Sequence, residues 1–108
     1  MPQYIFIYLG GDYPDNPEEG KKHFEQYQGW LSALGDAVVS PAIPFKDTHT
    51  VHPRGKTEQG TTTLMSGMSI LKFESMQAAL EAAKSCPFRD INGTLEVSEM
   101  IAMSTTGH

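Results

Sequence analysis

The first strand of the sequence constrains the fold most, because both of its faces are apolar. The segment QYIFIYL, residues 3–9, is rich in aromatic and β-branched residues, which favours a β-strand. The side chains alternate between two faces: Tyr4, Phe6 and Tyr8 on one, and Ile5, Ile7 and Leu9 on the other. We expect a strand of this kind to be covered on both sides in the folded protein.

The length and composition predict one globular domain, 1–108. The chain has 108 residues, of which 39% are hydrophobic and 19% are charged, enough for a single hydrophobic core. No apolar run approaches the roughly 20 residues that a membrane-spanning helix needs. The start of the chain lacks the basic region of a signal peptide. The sequence therefore predicts a cytoplasmic protein that has no membrane partner.

The charge and the metal-binding residue types exclude several functions. A net charge of −5 argues against general nucleic-acid binding, which needs a basic surface. The single cysteine, Cys86, excludes an internal disulfide and a cysteine-rich zinc site. His49 and His52 could bind a metal together with Asp47, but two histidines without a clear third ligand are more typical of a solvated loop. The sequence thus predicts no metal and no cofactor.

Two helices are predicted from apolar residues at helical spacing. The first covers residues 18–34, with Asn16 as its N-cap and Gly35 at its end. The second covers residues 75–85, with Ser75 as its N-cap. The predicted apolar stripes are Phe24, Tyr27, Leu31 and Leu34 on the first helix, and Met76, Ala79, Leu80 and Ala83 on the second.

The remaining strands complete the fold prediction. Segments 37–43, 68–73 and 94–103 are predicted strands, the last with the alternation Leu95, Val97, Ile101 and Met103. Segment 45–66 is ambiguous, although KDTHTVH could form an edge strand. The order is β-α-β, an insertion, and β-α-β again. It predicts an α+β, ferredoxin-like βαββαβ fold with an antiparallel sheet.

The covering of this sheet leads to a prediction about assembly. Two helices can cover only one face of a four-stranded sheet. Because the first strand is apolar on both faces, the other face needs a partner. We expect that partner to be a second copy of the chain, so that a homodimer forms with its sheets packed face to face.

Several segments together resemble the YCII-related family, including its branch named for an Asp-Gly-Pro-Phe motif. These are YIFIYLG, WLSAL, VVSPA, SGMSILKFESMQAALEAAKSCPF and GTLEVSEM, which span nearly the whole chain. The resemblance implies a ferredoxin-like fold that dimerises into an α/β barrel. The loop KTEQGTTTL stands where that branch would carry Asp-Gly-Pro-Phe.

The resemblance also implies an activity. One branch of the family resembles small dehydrochlorinases of chlorinated organic acids, with a histidine in the first helix and an Asp-Pro-aromatic triplet after the second. Here His23 falls at or near the histidine position, and Cys86, Pro87 and Phe88 occupy the triplet, with cysteine in place of aspartate. The implied ligand is a small organic acid, and the implied reaction is proton abstraction or elimination.

His23 is the main candidate for a catalytic residue. At about 100° per residue, it lies between Leu34 and Trp30 inside the apolar arc of the first helix. It could be a hydrogen-bonded core or interface histidine, or a general base in a cleft beside the sheet. The candidate pocket residues are Tyr8, Tyr27, Trp30, Ser40 and Cys86.

Two functions stay open from the sequence. The first is a small enzyme in which His23 moves a proton. The second is a non-catalytic module that binds a small molecule or serves a regulatory interaction, which the loss of the aspartate at Cys86 favours.

Overall fold

The computed structural model describes residues 1–12 and 14–101 and shows two helices on one face of an antiparallel sheet. In chain order the elements are β1 (Gln3–Gly10), α1 (Pro17–Leu34), β2 (Val38–Pro44), β3 (His49–Val51), β4 (Thr57–Gln59), β5 (Met65–Lys72), α2 (Met76–Lys84) and β6 (Gly93–Glu99). The main sheet has the strand order β2-β5-β1-β6, and its three pairings are antiparallel. The fold is therefore α+β and compatible with a ferredoxin-like topology.

The predicted helix ends are confirmed by their capping groups. The backbone N–H of Glu19 donates to Asn16 Oδ1 at 2.8 Å, and the N–H of Ala78 donates to Ser75 Oγ at 3.1 Å. Gly35 ends α1 with φ of 54°, a conformation that suits glycine. Short polar side chains and one glycine thus determine where both helices begin and where α1 ends.

The core lies between the helices and the Tyr4, Phe6 and Tyr8 face of β1. Phe6 is fully buried and packs against the rings of Trp30 and Phe73, with centroids 6.3 and 6.1 Å away. Trp30 Nε1–H donates to the carbonyl of Ala82 at 3.1 Å, which ties α1 to α2. Burying these aromatic side chains contributes much of the stability of a chain this size.

The predicted apolar stripes were wrong at their edges. Phe24 is 59% exposed, Leu80 43% and Met76 37%. The buried and half-buried arc of α1 runs from Trp30 to Leu31 and is centred near Tyr27 and Leu34, so Phe24 lies just outside its border. On α2 the buried residues are Ala79 and Ala83, whose small size lets the helix approach the sheet closely, and the larger neighbours are left outside.

Strand β6 is shorter than predicted. It ends at Glu99, opposite Tyr4, and just beyond it the Met100 N–H donates to the carbonyl of Gln3, the first residue of β1, at 2.8 Å. Ile101 is 85% exposed rather than part of an alternating strand. Met103 lies outside the described residues.

The ambiguous segment forms a hairpin outside the main sheet. Strands β3 and β4 pair from His49–Gln59 to Val51–Thr57, which confirms a strand at HTV. The radius of gyration is 15.8 Å, against about 13 Å for a compact domain of this length. Part of the excess follows from the flat shape of the chain, whose principal extents are 49 × 38 × 18 Å.

The second face of the sheet, here called the open face, carries no helix. In register across β1 and β5, Ile5 pairs with Ile70 and Ile7 with Met68, and all four side chains are half-buried. The next strand, β6, borders them with exposed polar residues, Thr94, Glu96 and Ser98. Among the described residues, no helix is long and apolar enough to cross a membrane.

Candidate functional site

A cleft opens between the first half of α1 and the neighbouring ends of β1, β2 and β5. It encloses about 340 Å³ and is called the aromatic cleft here. Its described lining is mostly apolar and consists of Tyr8, Pro14, Gly20, His23, Phe24, Tyr27, Ala42, Ile43, Pro44, Ser66, Gly67 and Phe88. Concave apolar surfaces with a few polar groups are typical of small-molecule sites.

Two tyrosines of this cleft belong to a cluster of three hydroxyl groups. The hydroxyl of Tyr8 hydrogen-bonds directly to that of Tyr27, and Ser69 Oγ lies 2.6 Å from Tyr8 Oη and 3.1 Å from Tyr27 Oη. Burial raises the pKa of both tyrosines above the ordinary value of 10.0. Both hydroxyls are therefore neutral at neutral pH, and they join α1 to β1 and β5.

Phe88 forms one wall of the cleft and is seated between two glycines. Its ring meets the Tyr8 ring edge to face at a centroid distance of 5.1 Å. A Cβ at Gly11 would stand 2.8 Å from this ring, and a Cβ at Gly93 would stand 2.2 Å from it. The ring reaches Tyr8 because neither glycine has a side chain. The packing of Phe88 against these glycines was not predicted from the sequence, although Gly10, Gly11 and Gly93 lie at or next to strand ends that pair.

His23 lies on the inward side of α1, where the angular count places it, and is half-buried. It lines the aromatic cleft and also a second, neighbouring groove. Among the described residues, none hydrogen-bonds to its imidazole. A core histidine would have such a partner, so this placement favours a ring that faces the cleft and its solvent.

The second groove is acidic. It encloses about 500 Å³, shares Pro14 and His23 with the aromatic cleft, and is called the acidic groove here. Its described lining also includes Asp12, Asp15, Glu19, Asp90 and Ile91. Asn92 Nδ2 donates to Asp12 Oδ2 at 2.5 Å, which holds one carboxylate in place.

The structure brings together only part of the predicted pocket. Tyr8 and Tyr27 line the aromatic cleft, but Trp30, Ser40 and Cys86 lie outside its described lining. Trp30 is buried in the core, and Ser40 Oγ donates to the neighbouring carbonyl of Pro41 on the edge strand. Cys86 is 2% exposed. Trp30 and Cys86 therefore pack the core beside the cleft, and Ser40 lies on the edge strand away from its described lining.

Cys86 has the properties of a packing residue. Burial, with a smaller contribution from the Asp90 carboxylate, raises the pKa of its thiol to about 11. A thiol with this pKa is protonated at neutral pH and is therefore a poor nucleophile.

We expect Cys86 to react slowly with iodoacetamide at pH 8. A pKa of about 11 instead of 9.0 lowers the thiolate fraction about a hundredfold, and burial slows access further. The measurement compares alkylation rates by mass spectrometry for the native protein and for the same protein unfolded in urea. Equal rates in the two states would show that the thiol is accessible in the folded protein and that its pKa is not raised.

The other two described histidines lie on the β3–β4 hairpin. His49 Nε2 is 3.0 Å from Asp47 Oδ1, and His52 Nε2 is 3.2 Å from Glu58 Oε2. Each imidazole thus has its own carboxylate, and the two do not converge. In residues 1–12 and 14–101, no group of three His, Cys, Asp or Glu side chains could hold a metal ion.

Comparison with known proteins does not identify a family for this chain. No protein-family model matches the chain, and no curated protein matches it significantly. The resemblance to YCII-related proteins stays a prediction from the sequence.

Proposed function

We propose that the aromatic cleft binds a small molecule and that His23 moves a proton to or from it. The observation that carries the proposal is a half-buried histidine with no described hydrogen-bond partner, in an apolar cleft that also holds the Tyr8 and Tyr27 hydroxyls. Histidine is the side chain that most readily exchanges protons near neutral pH.

Among the hydroxyl, thiol and imidazole groups near the cleft, His23 is the candidate for proton transfer. The Tyr8 and Tyr27 hydroxyls and the Cys86 thiol all have raised pKa values, so they keep their protons at neutral pH. The two tyrosine hydroxyls can orient a ligand, Cys86 lies outside the lining, and none of the three groups supplies a base. A histidine base removes a proton only when a bound ligand brings that proton within hydrogen-bond reach.

The alternative is a module that binds the same ligand without chemistry. It is favoured by the absence, among the described residues, of a carboxylate bonded to the His23 imidazole. Such a partner usually orients a catalytic histidine. Membership of the YCII-related family and a small organic acid as the ligand are parts of the enzyme proposal that rest on the sequence resemblance.

A His23→Gln variant tests the catalytic half of the proposal. Ligands are first found by thermal shift, because a ligand at a hundredfold excess over its dissociation constant stabilises the folded state by about 2.7 kcal/mol. Each hit is then followed for conversion by NMR. We expect His23→Gln to keep binding but to lower turnover about a hundredfold or more.

The matched control is His52→Gln, which removes a histidine from the exposed hairpin and leaves the cleft intact. Turnover that is unchanged in His23→Gln would exclude this residue as the base. Ligand binding without conversion in the wild type would favour the non-catalytic module.

We also propose that the protein is a homodimer, assembled through the open face into an α/β barrel. Support comes from the apolar rows of β1 and β5, which are bordered by polar residues on β6. The chain is only 18 Å thick along its shortest axis, as expected for one helix layer on one sheet. A second sheet packed about 10 Å away would cover these rows.

A further inference from the structure

We propose that the ligand of the aromatic cleft is a small aryl- or alkylamine, bound as its ammonium ion beside the acidic groove. The inference rests on the proposed binding function and gives that function a ligand class. It differs from the organic acid that the sequence resemblance implies. Three properties of the described lining support it: its hydrogen-bonding capacity, its charge and its aromatic surface.

The hydroxyl groups of the cleft have acceptor capacity to offer, but their protons are already used. Tyr8, Tyr27 and Ser69 are mutually in hydrogen-bond contact, and a closed ring of three hydroxyls uses each of the three protons once. The fourth hydroxyl, on Ser66, donates to the backbone carbonyl of Tyr8 at 3.1 Å. A ligand that donates hydrogen bonds fits these hydroxyls, whereas a carboxylate could accept only from the His23 imidazole unless it broke existing bonds.

The negative charge around the cleft also favours a cationic ligand over an anionic one. The adjoining groove carries Asp12, Asp15, Glu19 and Asp90, and neither described lining contains a lysine or an arginine. The nearby Arg89 lines a different pocket, where its guanidinium donates to the carbonyl of Lys84. The positive end of α1 also lies here, but Glu18 and Glu19 in its first turn offset it.

The aromatic lining suits a cation that carries an apolar body. Phe24, Tyr27 and Phe88 line the cleft, and Phe24 is 59% exposed. An ammonium ion within about 6 Å of a ring face is attracted by the ring's quadrupole. The apolar part of the amine would fill the cleft, and the ammonium would point toward His23 and the acidic groove. The acidic side chains select the charge, while the cleft provides the site.

Three probes with the same phenyl body separate the ligand classes. Phenethylamine is cationic, phenethyl alcohol is neutral and hydrocinnamate is anionic at neutral pH. Each is titrated into the isotopically labelled full chain, and affinity is read from the NMR signals of His23 and Tyr27. We expect phenethylamine to bind about tenfold more tightly than the alcohol, because the attraction between its charge and the carboxylates is partly screened by solvent. Hydrocinnamate should bind most weakly of the three.

Charge-removing variants test the cause of this order. We expect Asp15→Asn combined with Asp90→Asn to weaken phenethylamine several-fold and to leave the alcohol unchanged. The control is Asp36→Asn, which removes one negative charge at the far end of α1 and is compared with Asp15→Asn alone as well as with the double variant. Raising the salt concentration should weaken the amine alone.

The outcomes distinguish the ligand class from the site. If hydrocinnamate binds as tightly as phenethylamine or more so, the amine class is overturned and the cleft remains a binding site. If all three probes leave the NMR signals unchanged, both the amine class and the proposed binding function are overturned. If the Asp15→Asn/Asp90→Asn double variant and Asp36→Asn lose the same amount of phenethylamine affinity, the acidic groove does not select the charge of the ligand.

Discussion

Replacing Ile7 with lysine should convert the protein from a dimer of about 24 kDa, twice the 11.9 kDa of one chain, into a monomer. Ile7 lies in the centre of the open face, paired with Met68 on one side and Glu96 on the other. In a face-to-face dimer the new ammonium would lose its hydration, and pairing with the neighbouring Glu96 would bury that carboxylate as well, at a cost of about 3 kcal/mol or more. That cost weakens the dimer more than a hundredfold. Light scattering coupled to size exclusion measures the mass.

The control for this variant is Gln28→Lys, which places a lysine on the exposed side of α1. It should leave the mass of the wild type unchanged. Circular dichroism of Ile7→Lys checks that the chain still folds, since the side chain faces away from the helix layer. A wild type that elutes as a stable 11.9 kDa monomer would contradict the homodimer.

Replacing Gly93 with alanine should destabilise the fold by about 3 kcal/mol and should distort the aromatic cleft. The added Cβ would stand 2.2 Å from the Phe88 ring and 2.6 Å from the Phe88 carbonyl oxygen. Because one of these contacts is with the backbone, turning the ring away relieves only part of the clash. Phe88 would then lose its edge-to-face contact with Tyr8. Urea denaturation measures the free energy of unfolding, and NMR of the aromatic signals reports the position of the ring.

Gly29→Ala is the matched control, with the same chemical change at another glycine. Gly29 lies inside α1, and a Cβ there would have no atom within 4 Å. Alanine is the better helix former, so this variant should be more stable by about 0.5–1 kcal/mol. If Gly93→Ala proved as stable as the wild type, Phe88 would not depend on a glycine at this position for its seat.

The helices were predictable because their signals are local. Asn16 and Ser75 cap helices through hydrogen bonds that span three residues, and Gly35 ends α1 through its own backbone conformation. The strand at 3–9 was predictable because alternation and composition are also read within one short segment. Such features depend little on the rest of the chain.

The candidate site was predictable only in part. His23, Tyr8 and Tyr27 were identified because helix periodicity and strand alternation show which side chains point inward. Trp30 also points inward, but toward α2, where it donates to Ala82. Periodicity shows that a side chain faces the interior, and it contains no information about whether another element fills the space in front of it.

Ser66 and Phe88 show what requires the tertiary structure. Their place in the cleft depends on contacts between elements far apart in sequence, such as the Ser66 hydroxyl on the Tyr8 carbonyl and the Phe88 ring against Gly93 and Gly11. The acidic groove likewise joins Asp12 and Asp15 to Asp90 across the fold. The sequence was sufficient to predict the elements, their caps and their inward faces, because short-range hydrogen bonds and side-chain periodicity specify them. The cleft, its hydrogen-bonding preference and its charge came from the tertiary structure, because they depend on where distant elements leave space between them.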